Sequence, residues 1–375
     1  MLALAIETSC DETSVAVIKM NKNNNEINIL SNIVSSQVEI HAKWGGVVPN
    51  LAAREHLKNI IPVLDSALKK TNKDISNLDL IAVTRGPGLI PALLIGTNMA
   101  KTLSYFHKKP LIGVHHVEGH IAANFIFDKN KKKDLEFPAL ALVVSGGHTQ
   151  LIFMNKIFDY EIVGQTQDDA VGEAFDKVAK MLDLGYPGGP IVSRKADQYL
   201  QDIKKITNNK LKEKLEEICF PRPLLASKDL NFSFSGLKTA VLYFYKGLQE
   251  KQNFKENVVL YKNAICYQFQ KATTEVLVKK TIEATKKYHP KTILIAGGVA
   301  ANKSLQKQLE IAVKEKFEST TYLAPKLDLC GDNAAMIGAA ALLRYQKLKK
   351  LKKEKQLDNN WKDLEADSNM KLNSL

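Results

Sequence analysis

Apolar and polar positions run in blocks along this chain. Residues 2–6 are apolar, 7–13 polar and 14–18 apolar again, which predicts a hairpin. A third strand is expected over 27–35. Between 50 and 69, Leu51, Leu57, Ile60, Ile61, Leu64 and Leu68 recur at helical spacing. A short strand (78–83), the turn Arg85-Gly86-Pro87-Gly88, a helix (91–106), a strand (110–114) and a helix (117–127) follow. The opening plan then returns: 139–144 is apolar, 145–149 polar and glycine-rich, 151–154 apolar. A repeated hairpin of this kind predicts two related lobes. Beyond it the sequence is mostly helical, over 172–182, 191–200, 236–248, 264–287, 301–317 and 333–348. Strands are expected at 291–296 and 321–323. Strands alternating with helices, together with hairpins, predict an α/β architecture with mixed sheets in two lobes. The expected division is 1–120 plus 325–350 for the first lobe and 121–324 for the second. Residues 351–375 read as a polar, flexible tail. Ligands of such folds sit in the cleft between lobes.

Composition narrows the function classes. No apolar run approaches the roughly 18–20 residues needed to span a bilayer. No basic leader with an apolar core opens the sequence, so no secretory signal is expected. The four cysteines, Cys10, Cys219, Cys266 and Cys330, form no C-x-x-C and are too few for a disulfide scaffold. Each reads as a small buried hydrophobe in a reducing, cytoplasmic compartment. The net charge of +13 points to an anionic partner such as nucleic acid. Of the 53 basic residues only Arg54, Arg85, Arg194, Arg222 and Arg344 are arginine. Such a lysine excess also follows from genome base composition, so charge adds only modest weight. The lysine clusters 129–133 and 347–355 read as a solvated loop and tail.

Several segments carry chemistry. In Gly113-Val114-His115-His116-Val117-Glu118-Gly119-His120, His116 and His120 are four apart, so a helix projects both imidazoles from one face. That spacing suits a metal. It is not the H-E-x-x-H of a zinc protease, because Glu118 stands two residues after His116. A carboxylate from elsewhere would complete the set. Asp332 is the best candidate, although at a helix start an N-cap is the more common role. The turn Val144-Ser145-Gly146-Gly147-His148-Thr149 offers backbone donors for a phosphate or carboxylate, and 7–13 occupies the equivalent place in the first lobe. The segment 295–302 (IAGGVAAN) is a strand, a Gly-Gly turn and a helix start, suited to an anion. Gly188-Gly189-Pro190 repeats that device.

These motifs together resemble the TsaD family of tRNA-modifying enzymes, from about residue 2 to 343. The resemblance rests on 6–17 (IETSCDETSVAV), 45–50 (GGVVPN), 86–89 (GPGL), 115–120 (HHVEGH), 144–149 (VSGGHT), 173–177 (EAFDK), 186–190 (YPGGP), 232–239 (FSFSGLKT), 297–302 (GGVAAN) and 332–337 (DNAAMI), in that order. It implies a two-lobed actin-like ATPase fold of the sugar-kinase and heat-shock type. It implies a metal on His116, His120 and Asp332, most often iron as Fe(2+), with zinc the other option. Substrate contacts map to Val144, Ser145, Gly146, Gly147, His148, Asp176, Gly189 and Asn302. Many members carry Asp or Glu as a further ribose contact four residues past the equivalent of Gly189; here Ser193 stands there. The implied reaction transfers threonylcarbamoyl from threonylcarbamoyl-adenylate to N6 of adenosine 37 in tRNAs reading ANN codons, with release of AMP. His115 and Glu12 are conceivable proton acceptors. The implied partners are tRNA, TsaB and TsaE, with no membrane. Three alternatives compete: a metalloendopeptidase of the glycoprotease type, a non-catalytic actin-like scaffold, and a kinase sharing the fold.

Overall fold

The structure is a computed structural model that describes residues 1–21, 23–126 and 135–372. The lysine cluster 129–133 lies outside them. The chain divides into two compact units, Met1–Leu135 with Leu323–Leu375, and Glu136–Tyr322. The first boundary therefore falls at 135 rather than 120.

Unit 1 is built on a five-stranded sheet of β1 (Leu2–Glu7), β2 (Glu12–Met20), β3 (Ile27–Ser36), β4 (Leu80–Gly86) and β5 (Leu111–His115), in the order β3-β2-β1-β4-β5. β1 pairs antiparallel with β2, and β2 with β3. β4 runs parallel to both β1 and β5. The near-continuous apolar run of β1 follows from burial on both faces. Ala3 and Ala5 face one core with Ala334–Leu342 of the helix Ala334–Lys350, while Leu4 and Ile6 face another with Ile60, Val63 and Ala100. The helix Ala334–Lys350 lies close on the sheet because a Cβ at Gly338 would meet Ile18 Cδ1 at 2.5 Å.

Unit 2 repeats the plan with β6 (Ala139–Val144), β7 (Thr149–Met154), β8 (Tyr160–Gln165), β9 (Thr292–Ala296) and β10 (Thr321–Leu323), in the order β10-β9-β6-β7-β8. β6 and β7 form the antiparallel hairpin, and β9 pairs parallel with β6. The repeated hairpin in the sequence is thus the core of two sheets of equivalent order.

Two of the differences from the sequence expectation bear on the fold. β8 was not anticipated; it is an edge strand with exposed Glu161 and Ile162, so its alternation is weak. The expected flexible tail is packed. Leu357 and Leu364 are buried in the cores of unit 1, the Trp361 ring packs tilted against Tyr105 with centroids 4.7 Å apart, and Asn360 donates to the Leu111 carbonyl at 2.8 Å. Arg85 Nε donates to the Glu365 carbonyl, and Asp367 N–H donates back to that of Arg85, both at 2.9 Å. Two leucines and a tryptophan among lysines and asparagines suffice to anchor it. Among the described residues, no helix is long and apolar enough to cross a membrane.

Candidate metal centre and nucleotide cavity

In unit 1, β5 ends on His115 and the helix His116–Ala122 begins at once. His116 and His120 share one face of it, with ring centroids 4.7 Å apart. Asp332 comes from the segment before the helix Ala334–Lys350. Asp332 Oδ1 lies 3.5 Å from His116 Nε2 and 3.2 Å from His120 Nε2. The N-cap of that helix is Asn333, which accepts from Met336 N–H at 3.1 Å. The capping role expected for Asp332 therefore falls to its neighbour, and Asp332 belongs to the triad.

The residues fit a divalent cation. Ligand atoms of the three lie within 4.8 Å of one another. Contacts of 3.2 and 3.5 Å match the edge of a coordination shell whose bonds are about 2.1 Å. Both His120 nitrogens are buried without a hydrogen-bond partner among the described residues, although Nε2 is near Asp332. The contact is close but not aligned as a hydrogen bond, which is how lone pairs aimed at a shared ion stand. A buried imidazole with no partner is otherwise costly.

The surroundings orient His116. Its Nδ1 meets Glu7 Oε2 at 3.2 Å and Ser9 Oγ at 3.1 Å, leaving Nε2 for the triad. Glu7 is fully buried and also accepts from Ser9 N–H and Thr84 Oγ1. Burial disfavours the His116 imidazolium, but Asp332 and Glu7 outweigh it and raise the metal-free ring to about 9. Burial, then Asp11 and Asp332, push the Glu12 carboxyl well above the usual range.

Unit 2 holds a cavity of about 500 Å³. Gly146 lines it from the β6–β7 turn, Asp176 from the helix Val171–Met181, Gly189 from the helix Gly188–Asp202, and Asn302 from the segment after β9. A Cβ at Gly146, Gly147, Gly189 or Gly298 would meet nothing within 4 Å, and none of the four has a left-handed φ. Bare backbone in open space is what a ligand's close approach requires. Gly297 differs: its φ is +93° and a Cβ would sit 2.3 Å from the Val144 carbonyl oxygen, so it serves the fold. The turn is closed by Ser145 N–H on the His148 carbonyl (2.8 Å) and His148 N–H on Ser145 Oγ (3.0 Å). Asp176 Oδ1 accepts from Gly188 N–H at 2.7 Å.

A family model described as TsaD, tRNA N6-adenosine threonylcarbamoyltransferase, matches residues 28–339. The chain belongs to the TsaD family. Curated relatives with that enzyme name include one from Persephonella marina, 47% identical over 350 residues, covering 92% of this chain and 91% of the relative. One from Listeria monocytogenes is 44% identical over 344 residues, covering 92% and 91%. Among solved structures, the HypF of T. kodakarensis aligns with a TM-score of 0.52 at 12% identity, covering 92% of this chain and 48% of that one; this likeness concerns the fold alone. The paired five-stranded units are those of the actin-like ATPase fold expected for TsaD.

Not every residue expected to contact substrate in TsaD lines the cavity. Gly146, Asp176, Gly189 and Asn302 do; Val144, Ser145, Gly147 and His148 are not among its lining residues. Val144 is fully buried at the end of β6, so only its backbone could reach a ligand. Ser193, Arg194 and Gln270 line the cavity as well. No motif marks Gln270, which is buried within the 31-residue helix Val258–Tyr288.

Two other residues take structural roles. His115 accepts from Val117 N–H at Nδ1 (3.2 Å) and donates from Nε2 to the Met370 carbonyl (3.0 Å), so neither nitrogen is available as a proton acceptor. Glu118, 1% exposed, is held by a bidentate ion pair with Arg344. Burial pushes its carboxyl up, with Arg344 acting against that. Cysteine burial is uneven: Cys266 and Cys330 are buried, Cys10 is half-buried and Cys219 is exposed.

Proposed function

We propose that this chain transfers the threonylcarbamoyl group of threonylcarbamoyl-adenylate to N6 of adenosine 37 in tRNAs reading ANN codons. The N6 amine attacks the carbamoyl carbon, the bond from that carbon to the phosphate oxygen breaks, AMP leaves, and the amine gives up a proton. No nucleophilic side chain is required. The observation carrying this reading is the convergence of His116, His120 and Asp332 in a chain of the TsaD family.

Those three residues would hold one divalent ion, Fe(2+) by preference and zinc as the other option. When bound, the ion supplies Lewis-acid polarisation and a fixed template for oxygens. Glu7 and Ser9 keep the His116 ring turned with Nε2 toward the ligand set. In unit 2, the backbone N–H groups at Gly146 and Gly147 would donate to phosphate and threonyl oxygens of the adenylate. Asp176 and Gly189 would hold its nucleoside, with Asn302 beside them in the cavity wall and Ser145 and His148 keeping the turn in shape.

The net charge of +13 supports binding of the anticodon stem-loop through phosphates, with strong salt dependence. TsaB and TsaE are the expected protein partners. Exposed Leu57 and Ile61 on the helix Pro49–Thr71, with Ile90 and Leu94 on the helix Ile90–His107 packed beside it, favour an apolar protein contact. A cytoplasmic location accords with a tRNA substrate. The protease alternative is disfavoured by Glu118, whose carboxylate is engaged by Arg344.

The test is reconstitution with threonylcarbamoyl-adenylate, tRNA and the two partners, followed by nucleoside analysis. Modified adenosine should form with wild type and vanish with His120→Ala. Product from a metal-free His120→Ala variant would instead support the scaffold reading.

A further inference from the structure

We propose that Ser193 and Gln270 read the base of the nucleotide held in unit 2, by donating hydrogen bonds to ring acceptors of a purine. This assignment rests on the nucleotide reading of that cavity given above.

The polar atoms are oriented from the backbone outward. Leu305 N–H can only donate, so the Asn302 atom 3.0 Å from it is Oδ1. The Asn302 amide nitrogen therefore faces the other way. It donates to Ser193 Oγ at 3.0 Å and to Gln270 Oε1 at 2.8 Å, which engages both its hydrogens. Ser193 Oγ accepts there and keeps its own hydrogen to give. Gln270 has its oxygen engaged, so Nε2 is its remaining group, and among the described residues no protein acceptor meets it. Gln270 is only 5% exposed, and both residues line the cavity.

Ser193 and Gln270 therefore present two neutral donors in a cavity that the apolar Phe175 and Val299 also line. Apolar walls with a few oriented polar groups suit a flat heterocycle with in-plane lone pairs. The open glycines suit the phosphate, since they offer bare backbone N–H groups at turns and helix starts. A buried donor left without its acceptor discriminates strongly, so an analogue lacking the right ring nitrogen should be rejected.

The experiment measures equilibrium binding of adenosine, AMP and the 1-, 3- and 7-deaza adenosines to the full-length chain. Adenosine is uncharged, so adding a carboxylate does not bias it through the phosphate. Wild type should lose affinity for each deaza analogue that lacks an acceptor the two residues read, about tenfold or more for that of Gln270. In Gln270→Glu the carboxylate still accepts from Asn302 but cannot donate. That variant should bind adenosine about tenfold more weakly and lose its discrimination against the analogue that lacks the acceptor of Gln270, with its thermal midpoint kept. Ser193→Ala leaves the Asn302–Gln270 bond intact and keeps the test decisive should Gln270→Glu fail to fold; about threefold weaker binding is expected. Adenosine affinity unchanged in the folded variants, with the deaza preference kept, overturns the assignment alone. Wild type that binds neither adenosine nor AMP overturns the nucleotide reading with it.

Discussion

The Glu118–Arg344 pair ties the helix carrying His116 and His120 to the helix that follows Asp332, so breaking it should damage both stability and metal binding. The two partners are unequally buried, with side chains 1% and 16% exposed. Arg344→Met leaves a carboxylate with almost no access to water and only the Lys347 charge to favour it, and breaking a buried pair costs about 3–5 kcal/mol. Glu118→Gln strands a guanidinium that can still reach solvent, so its cost should be nearer the loss of charged hydrogen bonds, about 1.5–3 kcal/mol. The double variant leaves no buried charge and should be more stable than the sum of the singles implies, by about 1–3 kcal/mol. Urea unfolding of the metal-free proteins measures all four corners of this cycle. Chelator competition on the same proteins should show weaker metal affinity in Arg344→Met than in wild type, because the helix carrying the two histidines is then no longer tied to the one that follows Asp332. If Glu118→Gln proves as costly as Arg344→Met, or the two effects simply add, the clamp argument is wrong.

Three further outcomes are expected. Glu7→Gln removes the anionic acceptor on His116 Nδ1 and should weaken metal binding about 10–100-fold, read by chelator competition; unchanged affinity would remove Glu7 from the centre. Asp169 is partly buried, which pushes its carboxyl up, but hydrogen bonds from Lys177 (2.8 Å) and Lys238 (2.6 Å) hold it below the usual range. A lowered folded pKa adds stability above the unfolded value near about 3.9 and loses it as pH falls through the folded value, so Asp169→Asn should lower the thermal midpoint at pH 7 and flatten its decline below about pH 4. Deleting residues 354–375 removes the buried anchors Leu357 and Leu364, each worth about 1.5–3 kcal/mol when buried, and should lower the thermal midpoint by several degrees; no change would restore the flexible-tail expectation.

What could be read from sequence depended on whether the chemistry was local. The repeated hairpins announced two mixed sheets because alternating apolar blocks directly encode strand, turn and strand. His116 and His120 were legible because one helix turn places both on one face. Asp332 was legible as a ligand only through the resemblance, because an acid before a helix is by itself more often a cap. Asn333 is just as good a cap, and only the direction of the Met336 N–H decides between them. The tail was misread because charge and asparagine outnumber its anchors, while burial depends on where Leu357 and Leu364 land rather than on average polarity. Asn302 is the converse case. The resemblance to TsaD marked it as a ligand contact, and it does line the cavity. Yet its amide oxygen caps a helix and both amide hydrogens are engaged inside the protein, so it has none left to donate. What it does there is fix which way Ser193 and Gln270 point, a role invisible to any motif because one partner lies on the preceding helix Gly188–Asp202 and the other within Val258–Tyr288.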